Sequence, residues 1–204
     1  MKLHWSPKSP YVRKVMVVAH KLKLLPQITL VRSVAAMRVP NTELMRDNPL
    51  SKIPTLVLDD GATLFDSSVI CEYLNALAQG TLFPASGAAR WQALRWQAFG
   101  DGMLDALILW RNERERLDIS RSAELLQAFE TKTHAALARL QVEAAELVDA
   151  PYAIGHVTLG CALGYLDFRF PDIDWRARAP AMASWFASQQ LQSAWVATEP
   201  TLDG

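Results

Sequence analysis

The sequence predicts an α/β domain over residues 1–78, a linker over 79–86 and an all-helical domain over 87–204. Three observations support this fold class. Strand and helix patterns follow one another in the order βαβ and then ββα before residue 78. The linker is rich in residues that favour turns. Beyond it, apolar residues recur only at helical spacing.

The first half of the α/β domain contains a strand, a helix and a second strand. Lys2–Trp5 is the first strand candidate, and a helix is predicted over 10–23. Its apolar residues recur at the i, i+3, i+4, i+7 spacing: Val12, Val15, Met16, Ala19 and Leu22. Pro26 ends this helix, residues 27–32 form the second strand, and a short helix is expected at 41–47.

A hairpin and a capped helix complete the domain. Residues 54–58 and 62–65 flank Asp60-Gly61, a dipeptide typical of tight hairpin turns. Asp66-Ser67-Ser68 follows and predicts the start of a helix that runs to Leu77.

The second domain begins with two long amphipathic helices at 88–116 and 122–147. The residues expected on their apolar faces are Trp91, Leu94, Ala98, Leu125, Phe129, Ala136 and Leu140. Thr158 is expected to open a further helix that runs to about Phe168. Shorter helices are expected at 179–188 and 190–196.

Composition excludes several classes of function. The chain has 21 Lys and Arg against 21 Asp and Glu, so no long-range field attracts nucleic acid or a membrane surface. No segment predicts a signal peptide or a membrane span. The only two cysteines, Cys71 and Cys161, lie in apolar segments and predict no disulfide framework. A cytoplasmic location is expected, with Cys71 buried and inert.

Ser9-Pro10 carries the clearest chemical signal. Pro10 suits the first position of a helix, which places Ser9 at the N-cap. Free backbone N–H groups and the helix dipole favour an anion at that place, and a thiolate is one such anion. Simple capping of the helix by Ser9 is the alternative.

Together these features resemble the glutathione S-transferase superfamily, over the whole chain. Two segments look most like its bacterial YibF-like branch: Ser9-Pro-Tyr-Val-Arg-Lys14 and Cys161-Ala-Leu-Gly-Tyr-Leu-Asp-Phe-Arg169. The resemblance implies a thioredoxin-like N-terminal domain plus an all-α C-terminal domain. It also implies a homodimer that uses glutathione as cosubstrate and no metal.

The loop Asn48-Pro-Leu-Ser-Lys-Ile-Pro54 looks like the superfamily's loop that ends in a cis-proline. The residues alone would predict a trans Ile53–Pro54 bond, because only about 5–6% of X–Pro bonds are cis. The resemblance implies a cis bond, with the Ile53 backbone pairing with the cysteinyl unit of glutathione. It implies that Lys52 meets the glycyl carboxylate, for which a solvated loop lysine is the alternative.

Asp66 and Ser67 match the acidic residue and serine that hold the γ-glutamyl end in the family. A helix N-terminus at Ser67 suits the α-carboxylate, and Asp66 suits the ammonium group. Ordinary helix capping is the alternative. Asp101 matches a residue that, in dimeric relatives, reaches the γ-glutamyl group on the other subunit. A surface Asp at a glycine kink is its alternative.

Glycines and one threonine of the helical domain carry folding signals. Gly100 and Gly102 each cost about 1 kcal/mol inside a helix, so a close helix approach is expected to compensate. The family places Asp three residues after Thr158, completing a capping box. Cys161 stands there instead, which leaves Thr158 to cap alone.

The resemblance implies that the Ser9 hydroxyl stabilises the glutathione thiolate, which attacks an electrophilic carbon of an apolar cosubstrate. Tyr11 is a competing hydroxyl, with simple packing as its alternative. The cosubstrate is expected between the domains, and candidate wall residues are Trp5, Pro7, Tyr11, Leu107 and Trp110.

Two other functions stay open. A transferase-like fold can also serve as a non-catalytic binding or regulatory module. A glutathione-dependent reductase or isomerase is less favoured, because Ser9 stands where redox-active relatives carry Cys and cannot form a mixed disulfide.

Overall fold

The computed structural model describes residues 1–202, which divide into two units. One unit consists of Met1–Ala85 and the described residues from Ser193 onward, and the other is Ser86–Gln192. None of the helices in the described part of the chain is long and apolar enough to cross a membrane.

The first unit is built on a four-stranded mixed sheet. Its elements are β1 Lys2–Trp5, α1 Pro10–Lys21, a 3₁₀ turn Leu25–Gln27, β2 Thr29–Arg32, α2 Thr42–Met45, β3 Thr55–Val57, β4 Thr63–Leu64 and α3 Ser67–Leu77. The strand order is β2-β1-β3-β4, with β1 parallel to β2 and antiparallel to β3, and β4 antiparallel to β3. The predicted order βαβ followed by ββα is confirmed.

The strand register brings three connecting segments to one edge of the sheet. His4 near the end of β1 pairs with Thr55 at the start of β3. Leu56 pairs with Leu64 at the end of β4. Therefore the loop from β1 to α1, the Pro54 segment and the turn from β4 into α3 all begin or end at that edge.

Helix α1 contributes to the core of this unit, because its predicted apolar residues Val12, Val15 and Ala19 are buried. Helix α1 also packs against α3 and against a terminal helix, Ser193–Val196. Arg13 donates a hydrogen bond to the Trp195 carbonyl over 3.4 Å and its guanidinium lies 5.1 Å from the Trp195 ring centre. This contact explains why the last described residues belong with the first unit.

The second unit is helical, and the predicted fold class is confirmed. Its helices are α4 Gly87–Arg114, α5 Ala123–Asp149, α6 Ile154–Arg169, α7 Trp175–Arg178 and α8 Pro180–Gln190, and the terminal helix of the first unit is α9. Helix α6 is buried along most of its length and packs against α4. The short α7 has no counterpart among the predicted elements.

Close helix contact explains one of the two α4 glycines. A Cβ atom added at Gly100 would lie 2.8 Å from the Thr158 carbonyl carbon on α6. At Gly155 it would lie 2.5 Å from the Trp96 Cβ. Gly102, in contrast, has open space around it among the described residues. The expected compensation therefore holds for Gly100 alone.

The prediction that Thr158 opens and caps a helix is wrong. Helix α6 begins at Ile154, and the Thr158 hydroxyl donates to the Ile154 carbonyl over 3.0 Å inside it. His156 acts at the N-terminus instead, because its Nδ1 accepts the Ala153 N–H over 3.0 Å. Its Nε2 lies 2.9 Å from the Leu147 carbonyl oxygen, so both ring nitrogens of this buried histidine are satisfied.

The predicted apolar face of α4 is also partly wrong. Trp91 is 70% exposed, and Ala98 is exposed as well. Trp96, Gly100 and Met103 are buried instead, and Trp96 and Gly100 lie against α6. On α5, Leu125 is likewise exposed, and Phe129 is only half-buried. Sequence periodicity indicates which residues share a face of a helix, but packing against the neighbouring helices decides which face is buried.

Glu143 on α5 is a buried carboxylate with three donors. It is 4% exposed and accepts hydrogen bonds from Arg95, from Arg139 and, over 2.7 Å, from the Trp96 indole. Burial alone would raise the pKa of Glu143, but these three donors outweigh it and lower the pKa to about 2.

We predict opposite effects for alanine at the two α4 glycines. Gly100→Ala should lower the free energy of unfolding by about 1–3 kcal/mol, because its methyl group would overlap the α6 backbone. Gly102→Ala should raise it by up to about 1 kcal/mol through helix propensity. Urea unfolding followed by circular dichroism measures both, and equal effects would contradict the close approach at Gly100.

Glu143 should make the helical unit sensitive to acid. Its folded pKa of about 2 lies below the unfolded value of 4.5. Its stabilisation is therefore complete above pH 4.5 and is lost as the pH falls towards 2. Glu143→Gln should lose about 2–3 kcal/mol at pH 7 and unfold with a weaker dependence on pH below 4.5. Unchanged acid unfolding in Glu143→Gln would contradict this assignment.

Candidate functional site

Ser9 caps α1, as the sequence predicts. Its backbone is extended, with φ −90° and ψ 121°, and its Oγ accepts the Val12 N–H over 3.3 Å. Pro10 occupies the first helical turn. The half-buried hydroxyl donates no hydrogen bond to a residue within 1–202, so its proton is available to a ligand at the positive end of α1.

The Ile53–Pro54 peptide bond is cis, as the resemblance implies. Pro54 is buried and Ile53 is half-buried. Within the described residues, the Ile53 N–H and carbonyl form no hydrogen bond. Lys52 beside them is exposed. A peptide-like ligand can therefore pair with the Ile53 backbone as an added strand would.

A buried asparagine holds this loop in place. The Asn48 side-chain amide donates to the Lys52 carbonyl over 3.2 Å and to the Thr55 hydroxyl over 2.9 Å. Its Oδ1 accepts the Leu50 N–H over 3.0 Å. Asn48 is the first residue of the predicted loop, and no role was expected for it, although an Asn before Pro49 is a recognisable turn signal.

Asp47 ties the same loop to the central strand. His4 Nε2 lies 2.7 Å from the Asp47 carboxylate, and Lys2 donates to it over 2.6 Å. His4 Nδ1 lies 2.7 Å from the Ser33 hydroxyl. Hydrogen bonds from Lys2 and His4 lower the pKa of Asp47. The charged carboxylate is thereby stabilised, and no local motif indicates this contact between distant segments.

Asp66 and Ser67 stand at the N-terminus of α3. The Asp66 carboxylate is exposed and accepts the Ser68 N–H over 2.9 Å, while Ser67 is buried. The Phe65–Asp66 peptide bond is cis. The Lys14 ammonium, which is fully buried on α1, lies 3.5 Å from the Ser68 hydroxyl. The positive N-terminal end of α3 and the Asp66 carboxylate thus lie next to each other.

The other predicted site residues are divided between the units. Trp5, Pro7 and Tyr11 belong to the sheet unit and are half-buried. The remaining three belong to the helical unit: Asp101, Leu107 and Trp110. Asp101 is half-buried on α4, whereas Leu107 and Trp110 are buried, with the Trp110 ring centre 4.9 Å from that of Phe170.

The sheet edge therefore presents an ordered series of binding groups. A hydroxyl at a helix N-terminus suits a soft anion, and the Ile53 backbone suits an amide unit. The α3 N-terminus and the Asp66 carboxylate suit a carboxylate and an ammonium group. Such a series fits a short zwitterionic peptide that carries a thiol. Within residues 1–202, no group of three or more His, Cys, Asp and Glu side chains could hold a metal ion.

Family comparison agrees with this geometry over both units. Residues 8–77 match the family described as glutathione S-transferase, N-terminal domain. Residues 123–188 match the one described as glutathione S-transferase, C-terminal domain. The Escherichia coli K12 protein named "uncharacterized GST-like protein YibF" is 27% identical over 98% of each chain.

Solved structures agree as well. A glutathione transferase family member from Pseudomonas fluorescens Pf-5 with bound glutathione is 40% identical, with a TM-score of 0.94 over 98% of this chain and 99% of that one. A structure of a Pf-5 family member with bound S-(propanoic acid)-glutathione is 39% identical, with a TM-score of 0.91 over the same shares.

Proposed function

We propose that this chain, which belongs to the glutathione S-transferase family, is a transferase that activates the glutathione sulfur with Ser9. The observation that carries the proposal is the position of the Ser9 hydroxyl. It caps α1 at the sheet edge that also holds the cis Pro54 segment and the start of α3. Bound glutathione in a 40% identical relative supports the choice of ligand.

Glutathione would lie along this edge with each group opposite a complementary one. The γ-glutamyl carboxylate would bind the N–H groups at Ser67, and its ammonium would bind Asp66. The cysteinyl unit would pair with the Ile53 backbone beside Pro54, and the glycyl carboxylate would meet Lys52. This arrangement places the sulfur towards Ser9.

Ser9 acts as a hydrogen-bond donor and does not need to be a base. A free thiol has a pKa of about 8.5, and each unit of depression requires about 1.4 kcal/mol of preferential stabilisation of the thiolate. The Ser9 hydroxyl and the α1 dipole supply stabilisation of this order. The thiolate then attacks an electrophilic carbon, forming a C–S bond while the leaving group departs with its electron pair.

The remaining parts of the proposal come from the resemblance. Asp101 would act on glutathione bound to the partner subunit of a homodimer in the bacterial cytoplasm. An apolar cosubstrate would contact some of five side chains: Trp5, Pro7, Tyr11, Leu107 and Trp110. A reductase is not favoured, since position 9 is Ser and both cysteines, Cys71 and Cys161, are fully buried.

We predict that Ser9→Ala retains glutathione binding but loses most conjugation activity towards a chlorodinitrobenzene-type substrate. The ultraviolet absorbance of the bound thiolate should titrate at a pKa about one unit higher than in the wild type. The variant also loses an N-cap worth about 1 kcal/mol.

Ser122→Ala is the matched control for that lost cap. Ser122 caps α5 by accepting the Leu125 N–H over 3.2 Å. No step of the proposed reaction uses this side chain. The variant should lose similar stability and keep full activity. An unchanged rate in Ser9→Ala would refute the role of Ser9, and glutathione binding without turnover in the wild type would favour a binding module.

We predict that Asp66→Asn weakens glutathione binding about tenfold through loss of the charge that meets the ammonium group. Asn is as good an N-cap as Asp, so the free energy of unfolding should stay unchanged. Asp60→Asn is the control, because Asp60 accepts the Ala62 N–H over 2.9 Å in an exposed hairpin turn. Calorimetry gives both dissociation constants, and equal values would contradict recognition by Asp66.

A further inference from the structure

Basic side chains surround a buried phenol in the helical unit, where the C-terminal turns of α4 and α6 meet. Tyr165 on α6 is only 2% exposed, and its hydroxyl accepts a hydrogen bond from Arg111 Nη1 of α4 over 3.4 Å. Arg169 lies one turn beyond Tyr165 on α6, and its positive charge favours the deprotonated form of the phenol. The Arg114 guanidinium lies 5.2 Å from the Phe170 ring centre nearby.

The charges of this cluster do not cancel. Arg111 Nε lies 3.4 Å from Glu115, and Arg114 forms an ion pair with Asp172 over 2.9 Å. Glu115 is 59% exposed, and a pair of this kind is weak. Arg169 has no carboxylate partner within the described residues, and its guanidinium stacks on the Phe168 ring at 4.2 Å. One positive charge is left over.

Several buried donors in the cluster form no hydrogen bond in the described part of the chain. They are the Nε groups of Arg169 and Arg111 and one Nη group of Arg114, although Arg111 Nε also takes part in the 3.4 Å ion pair with Glu115. The Tyr165 hydroxyl accepts a bond but donates none to a described residue. A buried donor without a hydrogen bond is unfavourable, so a ligand that brings acceptors is favoured.

The protonation state of Tyr165 suits a donor. Burial raises the pKa of the phenol, and this effect outweighs the lowering by the positive charges of Arg111 and Arg169. Tyr165 therefore keeps its proton at neutral pH. The Arg111 side chain is 27% exposed, so this member of the cluster is in contact with solvent.

We infer that Arg111, Arg169 and Tyr165 form a binding site for the carboxylate of a small organic acid. A carboxylate offers two coplanar acceptors that match the fork of a guanidinium group. A monoanion also matches the single uncompensated charge, and the Phe168 ring beside Arg169 suits a short hydrocarbon chain.

Binding of propionate, with propionamide as the uncharged analogue, tests the site without turnover. Calorimetry and tryptophan fluorescence should show that the wild type binds propionate and that Arg169→Met weakens this binding about tenfold. Tyr165→Phe, which keeps the buried ring, should also weaken it. Arg178→Met removes an exposed arginine of α7 and should have no effect.

Arginines are also favoured at helix C-termini by the dipole alone. That purely structural role would leave propionate binding equal in the wild type and in Arg169→Met, or equal to that of propionamide. Either result would overturn the site. Glutathione binding and the free energy of unfolding, measured in parallel, show whether each variant is folded.

Discussion

The central position of β1 in the sheet is the constraint on which the candidate site depends. Because β1 is parallel to β2 and antiparallel to β3, its end lies beside the start of β3. Pairing of β3 with β4 then returns the chain to the same edge before α3. Ser9, Pro54 and Asp66 are distant in sequence, yet the register places the segments that carry them together.

Two polar side chains of the sheet unit, Asp47 and Asn48, hold the loop at this edge in place. Asp47 fastens the loop before Pro54 to His4 on β1, and Asn48 fixes the backbone of that loop from inside. Both side chains form their hydrogen bonds within the protein. The Ile53 N–H and carbonyl form none within the described residues, and the Ser9 hydroxyl donates none there. Groups that hold the edge and groups that can meet a ligand are therefore different residues.

The helical unit contains two groups of buried polar side chains that differ in how their charges are compensated. Glu143 accepts hydrogen bonds from three donors of the protein, so most of its capacity as an acceptor is used within the fold. The cluster around Tyr165 has more donors than acceptors and a positive charge without a partner. The structural carboxylate and the proposed binding cluster differ in this balance, which residue types alone do not show.

Local chemistry let the sequence determine most elements of the fold and the caps at Ser9 and Asp66, since caps, turns and periodicity depend on residues a few positions apart. The family resemblance added the cis bond before Pro54. Tertiary structure alone decided that α6 begins at Ile154, that Trp91 faces outward and that Asp47 meets His4. Each of these depends on which distant segment packs alongside, and a single sequence carries no signal for that choice.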